Sequence, residues 1–300
     1  MKNNISVTKS NALVVSGYRL SLTEIHVVLY GIGLINPLQK DFPLSYRIDI
    51  DRFAQMFNRK HGQIYKEVKE AVLKKFWERD FSYTDDKGKI VTLRWLTKVV
   101  HEDKSGYLEI KFNEEVQPYL HQLQGNFTKY YIDEISQFKS VYSIRFYEHA
   151  IMTLNEKKTN KCNFLLLVSD IRQRLDLGER YDRFCDFKSR ILEPARKEIN
   201  KFSDLNFSYK VVKLGRAPHQ IEFTVSKKQK NENLQNDHQQ VKISTITLDK
   251  AKKLAIEAGT GWDIYSIEEQ FYAYIKKAGA PRSIESAFLG FVKKKIKNKA

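Results

Sequence analysis

The sequence predicts an α+β protein with two tandem winged-helix domains and a small helical C-terminal module. Three observations predict it. The same order of helical and strand-like segments occurs twice, a polar stretch follows the second occurrence, and the composition is globular, with 42% hydrophobic and 12% aromatic residues. The first domain, second domain, flexible linker and module are predicted over residues 1–128, 129–226, 227–245 and 246–300.

The first domain is predicted from a helix, a strand, two helices and a β-hairpin, which is the winged-helix order. Ser21 and Asp51 are the predicted N-caps of its first two helices. The helices are predicted over residues 22–35, 51–57 and 64–79, and the strands over residues 46–50, 81–84, 90–100 and 107–112. The third helix carries Lys66, Glu70 and Lys74 on its outer face, and we predict that they contact DNA.

The second domain repeats this order after a connector at residues 126–136. A helix over residues 136–154 is apolar on nearly every side, which predicts that it is buried between layers or domains. A strand is predicted next, over residues 164–168, followed by a short helix that Ser169 caps and that ends at residue 175. A long helix is predicted over residues 182–202, with Asp182 at its start. The last predicted elements are strands over residues 206–214 and 220–225.

The long helix of the second domain has two unlike faces. An apolar stripe, predicted to face the core, consists of Phe184, Phe187, Ile191, Ala195, Ile199 and Phe202. The candidate DNA contacts on the polar side and its edges are Arg183, Asp186, Lys188, Ser189, Arg190, Glu193, Arg196 and Lys197. An arginine fork can pair with guanine O6 and N7, whereas lysine suits phosphates. Taken alone, the same pattern also fits an ordinary amphipathic helix with a solvated charged face.

The tip of the hairpin after this helix is basic. Lys213, Arg216 and His219 cluster there beside Gly215 and Pro218. A basic wing beyond a helix that enters a groove can reach the adjacent backbone or the minor groove. We therefore predict that these three side chains contact DNA.

Net charge indicates the class of partner. The chain carries 52 Lys and Arg against 36 Asp and Glu, a formal net charge of +16. This excess favours a polyanion, although a basic surface kept for solubility is an alternative. No segment approaches the ~18 consecutive apolar residues of a membrane span, and the N-terminus has no signal-peptide core. We therefore expect no membrane contact and a cytoplasmic location.

Neither a cofactor site nor a catalytic site is predicted. Cys162 and Cys185 lack metal-ligand spacing and are expected to be free thiols packed as small hydrophobes. The seven histidines never lie within two positions of each other, as a nickase metal pair requires. No phosphate-binding loop of the G-x-x-x-x-G-K-[ST] type occurs. We expect no metal, no catalytic residue and no enzymatic activity.

Several stretches of the chain resemble the initiator replication proteins of iteron-containing, theta-replicating plasmids. The matching residues are SVYSIRFYEHAIMTL (140–154), FLLLVSDIRQRLDL (164–177), YDRFCDFKSRILEPARKEIN (181–200) and DLNFSYKVVKLGRAPHQIEFTV (204–225). A looser likeness covers residues 9–33 and 94–100 of the first half. The C-terminal module departs from the best-known members, and its role stays open.

This resemblance implies a mode of action. The second domain binds one end of each directly repeated origin site, the iteron, with its long helix in the major groove. In monomers the first domain contacts the other end, whereas in dimers it forms the dimer surface. Dimers act as autorepressors or copy-number inhibitors. Bound monomers recruit the host initiator and the replicative helicase.

Two other interpretations of the same residues remain. A tandem winged-helix transcriptional regulator would use the same DNA-binding surfaces, but its gene would lack neighbouring direct repeats of about 20 bp. A protein whose wings pack only on other proteins is the other alternative; the basic face of residues 182–202 argues against it, and salt-sensitive DNA binding would exclude it.

Overall fold

The structure is a computed structural model of the 300-residue chain. It describes residues 5–35, 42–76, 79–85, 87–101, 105–121, 123, 125–228, 243–257, 267–268, 270–272, 274–275, 281 and 283–297. The chain divides into two compact units, Met1–Gln229 and Lys230–Ala300. Within the described part of the chain, no helix combines the length and apolar character needed to span a bilayer.

Among its described residues, the first domain contains four α-helices and seven strands. The helices are α1 (Asn11–Val15), α2 (Leu22–Gly33), α3 (Ile50–Met56) and α4 (His61–Glu70), which a π-helical turn (Ala71–Lys75) extends. The strands are β1 (Ser6–Ser10), β2 (Ser45–Asp49), β3 (Asp80–Thr84), β4 (Ile90–Arg94), β5 (Leu96–His101), β6 (Tyr107–Phe112) and β7 (Phe127–Tyr131). Ser21 caps α2 as predicted, because its hydroxyl accepts from the backbone of Glu24 while the Glu24 carboxylate accepts in return from the backbone of Ser21.

The second domain repeats this order. Its helices are α5 (Val141–Glu156), α6 (Val168–Arg174), α7 (Phe184–Phe187) and α8 (Glu193–Phe202), and a π-helical turn (Lys188–Leu192) joins the last two. Its strands are β8 (Lys161–Leu167), β9 (Leu205–Leu214) and β10 (Ala217–Lys227). We call the continuous run over residues 184–202 the 184–202 helix.

The two domains share one sheet topology. The three-stranded sheets have the orders β2-β6-β5 and β8-β10-β9. In each domain the second strand of a hairpin, β6 or β10, therefore lies between its hairpin partner and the strand that precedes the long helix, β2 or β8. In each domain the long helix also contains one π-helical turn, Ala71–Lys75 or Lys188–Leu192. The predicted internal repeat and the α+β, two-winged-helix fold are therefore confirmed.

Two parts of the first domain differ from prediction. The predicted connector contains β7, which pairs antiparallel with β1, and the predicted boundary between residues 128 and 129 falls inside β7. Residues 90–100 form two strands in different sheets rather than one, because the chain bends at the buried Trp95 between β4 and β5. The β3–β4 hairpin is thus an addition to the winged-helix order.

Three predicted caps are wrong. The carboxylate of Asp49, two residues before Asp51, accepts from the backbone of Arg52 and caps α3. Helix α6 begins one residue before Ser169, with Leu167 at the cap position. The 184–202 helix begins after Arg183, so Asp182 lies outside it.

Helix α5 lies between the two domains, as its all-round apolar pattern predicts. Eleven of its sixteen residues are buried, and it packs on α8 of its own domain and on α1 and β7 of the first. Backbone amides of Lys139 and Ser140, at its start, donate to the Glu198 carboxylate at 3.2 Å each. Glu198 therefore ties the start of α5 to the 184–202 helix.

A buried carboxylate on α5 joins the domains electrostatically. Glu148 is fully buried and pairs with Lys9 of β1 at 2.6 Å. The hydroxyl of Tyr130 on β7 donates to the same carboxylate at 2.6 Å. Arg145, one turn earlier on α5, lies 3.8 Å from Glu148 and donates to the backbone oxygen of Ser16 at 2.6 Å.

The second unit contains two long helices among its described residues. They are α9 (Thr245–Glu257) and α10 (Ile284–Lys297), and their apolar sides meet around Ala251, Phe271, Phe288 and Val292. The predicted linker ends earlier than residue 245, since α9 starts there. The linker also begins later than predicted, because Lys227 is the last residue of β10. Residues 229–242 of the linker lie outside the described residues.

His26 makes the folded first domain sensitive to acid. Its ring stacks on Phe57 at 3.9 Å between centroids, and burial together with the Arg59 charge lowers its pKa from 6.5 to about 3. The unfolded chain binds a proton near pH 6.5 and the folded chain does not, so stability is lost as the pH falls below 6.5. Between pH 7 and pH 5 the loss from this group is about 2 kcal/mol.

We predict that His26→Phe reduces the difference in free energy of unfolding between pH 7 and pH 5 by about 2 kcal/mol. Urea titrations at both pH values measure it. Phe57→Leu serves as a control, because it lowers stability without removing a titrating group and should do so equally at both pH values. An unchanged pH difference in His26→Phe would contradict the assignment.

Candidate nucleic-acid interface

The 184–202 helix is anchored by its apolar stripe. Phe187, Ile191, Ala195 and Ile199 are buried as predicted, whereas Phe184 and Phe202 are half-buried. Leu192, absent from the predicted stripe, is also fully buried. The π-helical turn explains this difference, since it holds more residues per turn than a regular helix and so moves Leu192 toward the core.

The opposite side of this helix is open to solvent. Arg183, Lys188, Ser189, Arg190 and Lys197 are exposed, and Asp186, Glu193 and Arg196 are half-buried. Lys188, Ser189 and Arg190 are consecutive and lie within the π-helical turn. The structure thus brings the eight predicted residues of this helix to its solvent side or its edge.

Two acidic side chains on this face are engaged by neighbouring arginines. Asp186 pairs with Arg183 at 2.8 Å, and Glu193 pairs with Arg196 at 2.8 Å. Hydrogen bonds from the Tyr209 hydroxyl of β9 and from Arg196 hold the pKa of Glu193 below its ordinary value. Glu193 therefore orients Arg196 and links the helix to strand β9 of the wing through Tyr209. The sequence did not indicate this role.

Lys188, Arg190 and Lys197 are disposed differently. Among the described residues, none forms a hydrogen bond or ion pair with these three side chains. These three positively charged side chains extend into solvent from an anchored helix and form no ion pair with a carboxylate of the described residues. An exposed cationic face of this kind suits phosphates and the acceptor edges of bases.

The wing carries the second predicted cluster. Strands β9 and β10 turn at Gly215, whose φ of +62° lies in the left-handed region. Lys213, Arg216 and His219 are exposed around this tip, and the strand register shifts between Pro218 and Gln220. The tip therefore presents these basic groups to solvent beyond the 184–202 helix.

The predicted contacts of the first domain lie on a separate surface. Lys66, Glu70 and Lys74 are exposed on α4 and its π-helical turn, in a different domain from the other predicted contacts. The start of α2 lies between the two sets. Thr23 approaches Glu67 of α4 at 3.5 Å, while Leu22 lines a groove that also contains Ser189 and Arg190.

Other basic residues near this interface escaped sequence analysis. Lys139 lines the groove that contains Arg190, and Arg19 and Arg180 line the adjoining cleft between the domains. Each lies in a connecting segment with no periodic pattern. Only the packing of the two domains brings them together.

The cysteines are free, and one differs from expectation. Cys162 is half-buried on β8, where burial raises the pKa of its thiol, but Cys185 is exposed on the 184–202 helix. Cys185 is thus not packed as a small hydrophobe. Within the described residues, no three His, Cys, Asp or Glu side chains lie close enough to hold a metal ion.

Comparison with known protein families matches both domains. Residues 6–151 match the family described as Initiator Replication protein, WH1, and residues 167–225 match Initiator Rep protein, WH2. Together these matches cover more than half of the chain. The C-terminal unit lies outside both.

Individual relatives agree with this assignment. A replication initiation protein of Escherichia coli is 28% identical over 229 residues, which cover 74% of this chain and 70% of that protein. The solved structure of the Pi initiator protein in complex with iteron DNA superposes with a TM-score of 0.64 at 19% identity, and covers 76% of this chain and all of that one. At that identity the likeness supports the fold alone. The two family matches, in the order of the two winged-helix domains, show that this chain belongs to the plasmid replication initiator protein family.

Proposed function

We propose that this protein initiates plasmid replication by binding directly repeated origin sites, the iterons, as a monomer. The observation that carries the proposal is the exposed cationic face of the 184–202 helix, where Lys188, Arg190 and Lys197 form no hydrogen bond or ion pair with another described residue. This face lies on a winged-helix scaffold shared with an initiator solved in complex with iteron DNA. Double-stranded origin DNA is the proposed ligand.

In this proposal the 184–202 helix enters the major groove at one end of each repeat. Arg190 contacts base edges, and Lys197 contacts phosphates. The wing tip at Lys213, Arg216 and His219 contacts the neighbouring backbone or minor groove. The first domain contacts the other end of the repeat through Lys66, Glu70 and Lys74.

We further propose that the monomer exchanges with a homodimer. The dimer then represses its own gene or inhibits the origin, and the bound monomer recruits the host initiator and replicative helicase in the cytoplasm. Footprints of separated monomer and dimer fractions on the DNA flanking the gene test this part. Repeats of about 20 bp protected by the monomer support an initiator, whereas an isolated operator without repeats supports a tandem winged-helix transcriptional regulator.

We predict that Arg190→Ala and Lys197→Ala have different effects on DNA binding. Arg190→Ala weakens binding to a one-repeat duplex by about 1–3 kcal/mol and relaxes the preference at one base position, because a base contact is lost. Lys197→Ala weakens binding to repeat and unrelated duplexes alike and lowers the salt dependence, because a phosphate contact is lost. Fluorescence anisotropy with duplexes that vary one base pair at a time measures both effects.

Lys161→Ala is the control for this pair. Lys161 is exposed at the start of β8, which pairs with the end of β10 far from the wing tip, and it should leave binding unchanged. Arg190 does not contact a base if its removal weakens specific and unrelated binding equally.

We also propose that the protein acts without a catalytic step of its own. Incubating it with Mg²⁺ and a supercoiled plasmid that carries the flanking repeats should leave the plasmid covalently closed. Agarose gels run after the protein has been removed measure this outcome. Conversion to the nicked circle, absent with a heat-denatured sample, would show that the chain cuts DNA.

A further inference from the structure

A cleft of about 220 Å³ lies between the two domains, and four arginines line it. Arg19 and Arg79 belong to the first domain, and Arg145 and Arg180 belong to the second. We call it the interdomain cleft. Among the described residues that line it, none carries a carboxylate.

The arginines of the interdomain cleft differ in their partners. Arg79 pairs with the buried Glu24 at 3.2 Å, and Arg180 donates to the backbone oxygens of Asp176 and Leu177. Arg19 is exposed and forms no ion pair or hydrogen bond with another described residue. Two of the four are thus held in place, while Arg19 can reach a ligand.

Arg145 contributes a buried positive charge to the wall of the cleft. It is 6% exposed, and its Nε and Nη1 atoms are buried without a hydrogen-bond partner. Its nearest carboxylate, Glu148 at 3.8 Å, is already paired with Lys9 at 2.6 Å. These three buried side chains carry one formal positive charge in excess. Arg145 also donates to the backbone oxygen of Ser16 and lies over the Tyr18 ring at 3.7 Å. Neither contact supplies a negative formal charge, so an anion in the adjoining cleft would stabilise this cluster.

The cleft lies between the two long helices. Val141 and Tyr142 line both the interdomain cleft and the adjoining groove that contains Ser189 and Arg190 of the 184–202 helix. On the other side, Arg79 follows α4 and its π-helical turn in the chain. We expect the backbone of a duplex that contacts both long helices to pass near the cleft.

We propose that the interdomain cleft binds a phosphate of the DNA backbone, at the stretch between the contacts of the two long helices. Arg19 contacts the phosphate, and Arg79, Arg145 and Arg180 supply the positive field around it. This inference rests on the proposed function, because it presumes that one duplex lies across both domains. It adds Arg19 to the DNA-binding residues.

A charge-neutral backbone tests the contact directly. A series of duplexes is synthesised, each with one flanking repeat and one methylphosphonate. The methylphosphonate is moved one position at a time through the stretch between the two DNA segments that the two domains protect in a footprint. For the parent protein, one position should weaken binding. The Arg19→Gln variant should bind the unmodified duplex more weakly, show no further loss at that position, and lower the slope of log affinity against log salt by about 0.9.

Lys161→Gln is the matched control, since it removes one exposed positive charge beyond the far end of α5. That helix has sixteen residues, about 24 Å in length, and its first residue lines the cleft. This variant should respond to every methylphosphonate as the parent does. Because Arg19 is exposed, the thermal unfolding of Arg19→Gln should match that of the parent.

Three outcomes would overturn the proposal. Arg19→Gln could keep the parent's sensitivity to every methylphosphonate while Arg190→Ala still impairs binding, which rejects the cleft and leaves the proposed function intact. Without DNA, millimolar inorganic phosphate could raise the melting temperature of the parent but not of Arg19→Gln, while no single methylphosphonate weakens duplex binding by the parent; the cleft would then be a site for free anions and not for the DNA backbone. Finally, the parent could fail to prefer repeat DNA at all, which rejects the proposed function itself.

Discussion

The arrangement of the two domains depends on one buried carboxylate, that of Glu148. Lys9 and Tyr130 contact it from the two strands of the first domain's terminal sheet, and Arg145 beside it reaches the backbone oxygen of Ser16. Because an isolated buried charge is very unfavourable, these groups must stay together in the folded protein. Helix α5 is thereby fixed to the first domain, and Glu198 fixes the 184–202 helix to the start of α5. The orientation of the second domain's long helix relative to the first domain follows from these contacts.

Pairing of opposite charges also determines which charged groups are available at the surface. Asp186 is paired with Arg183, the residue before the 184–202 helix, and Glu193 is paired with Arg196 of that helix. These carboxylates therefore position the two arginines instead of repelling DNA. The lysines and Arg190 project without such partners among the described residues. A modest net positive charge is thus displayed on one anchored face, an arrangement that suits site-specific binding with a phosphate contribution.

Periodicity in the sequence predicted the repeated order of elements and the stripe of Phe187, Ile191, Ala195 and Ile199, because local spacing determines which face of a helix is buried. It missed Leu192, since the register change at a π-helical turn has no local signature. It also missed the β1–β7 sheet, whose strands pair across more than 100 residues of chain. Arg19 was invisible for a related reason: only the packing of the two domains places it beside Arg145 and Arg180.

The central claim is that the polar side of the 184–202 helix lies in the major groove of a repeated origin site. Cys185, exposed on this helix, offers the most direct measurement. In a Cys162→Ser background that still binds the repeats, an iron chelate attached to Cys185 generates hydroxyl radicals within a short distance of the helix. If this side of the helix lies in the major groove, strand cleavage should cluster at one end of each repeat, on both strands. Specific binding with cleavage absent, or spread evenly along the duplex, would contradict it.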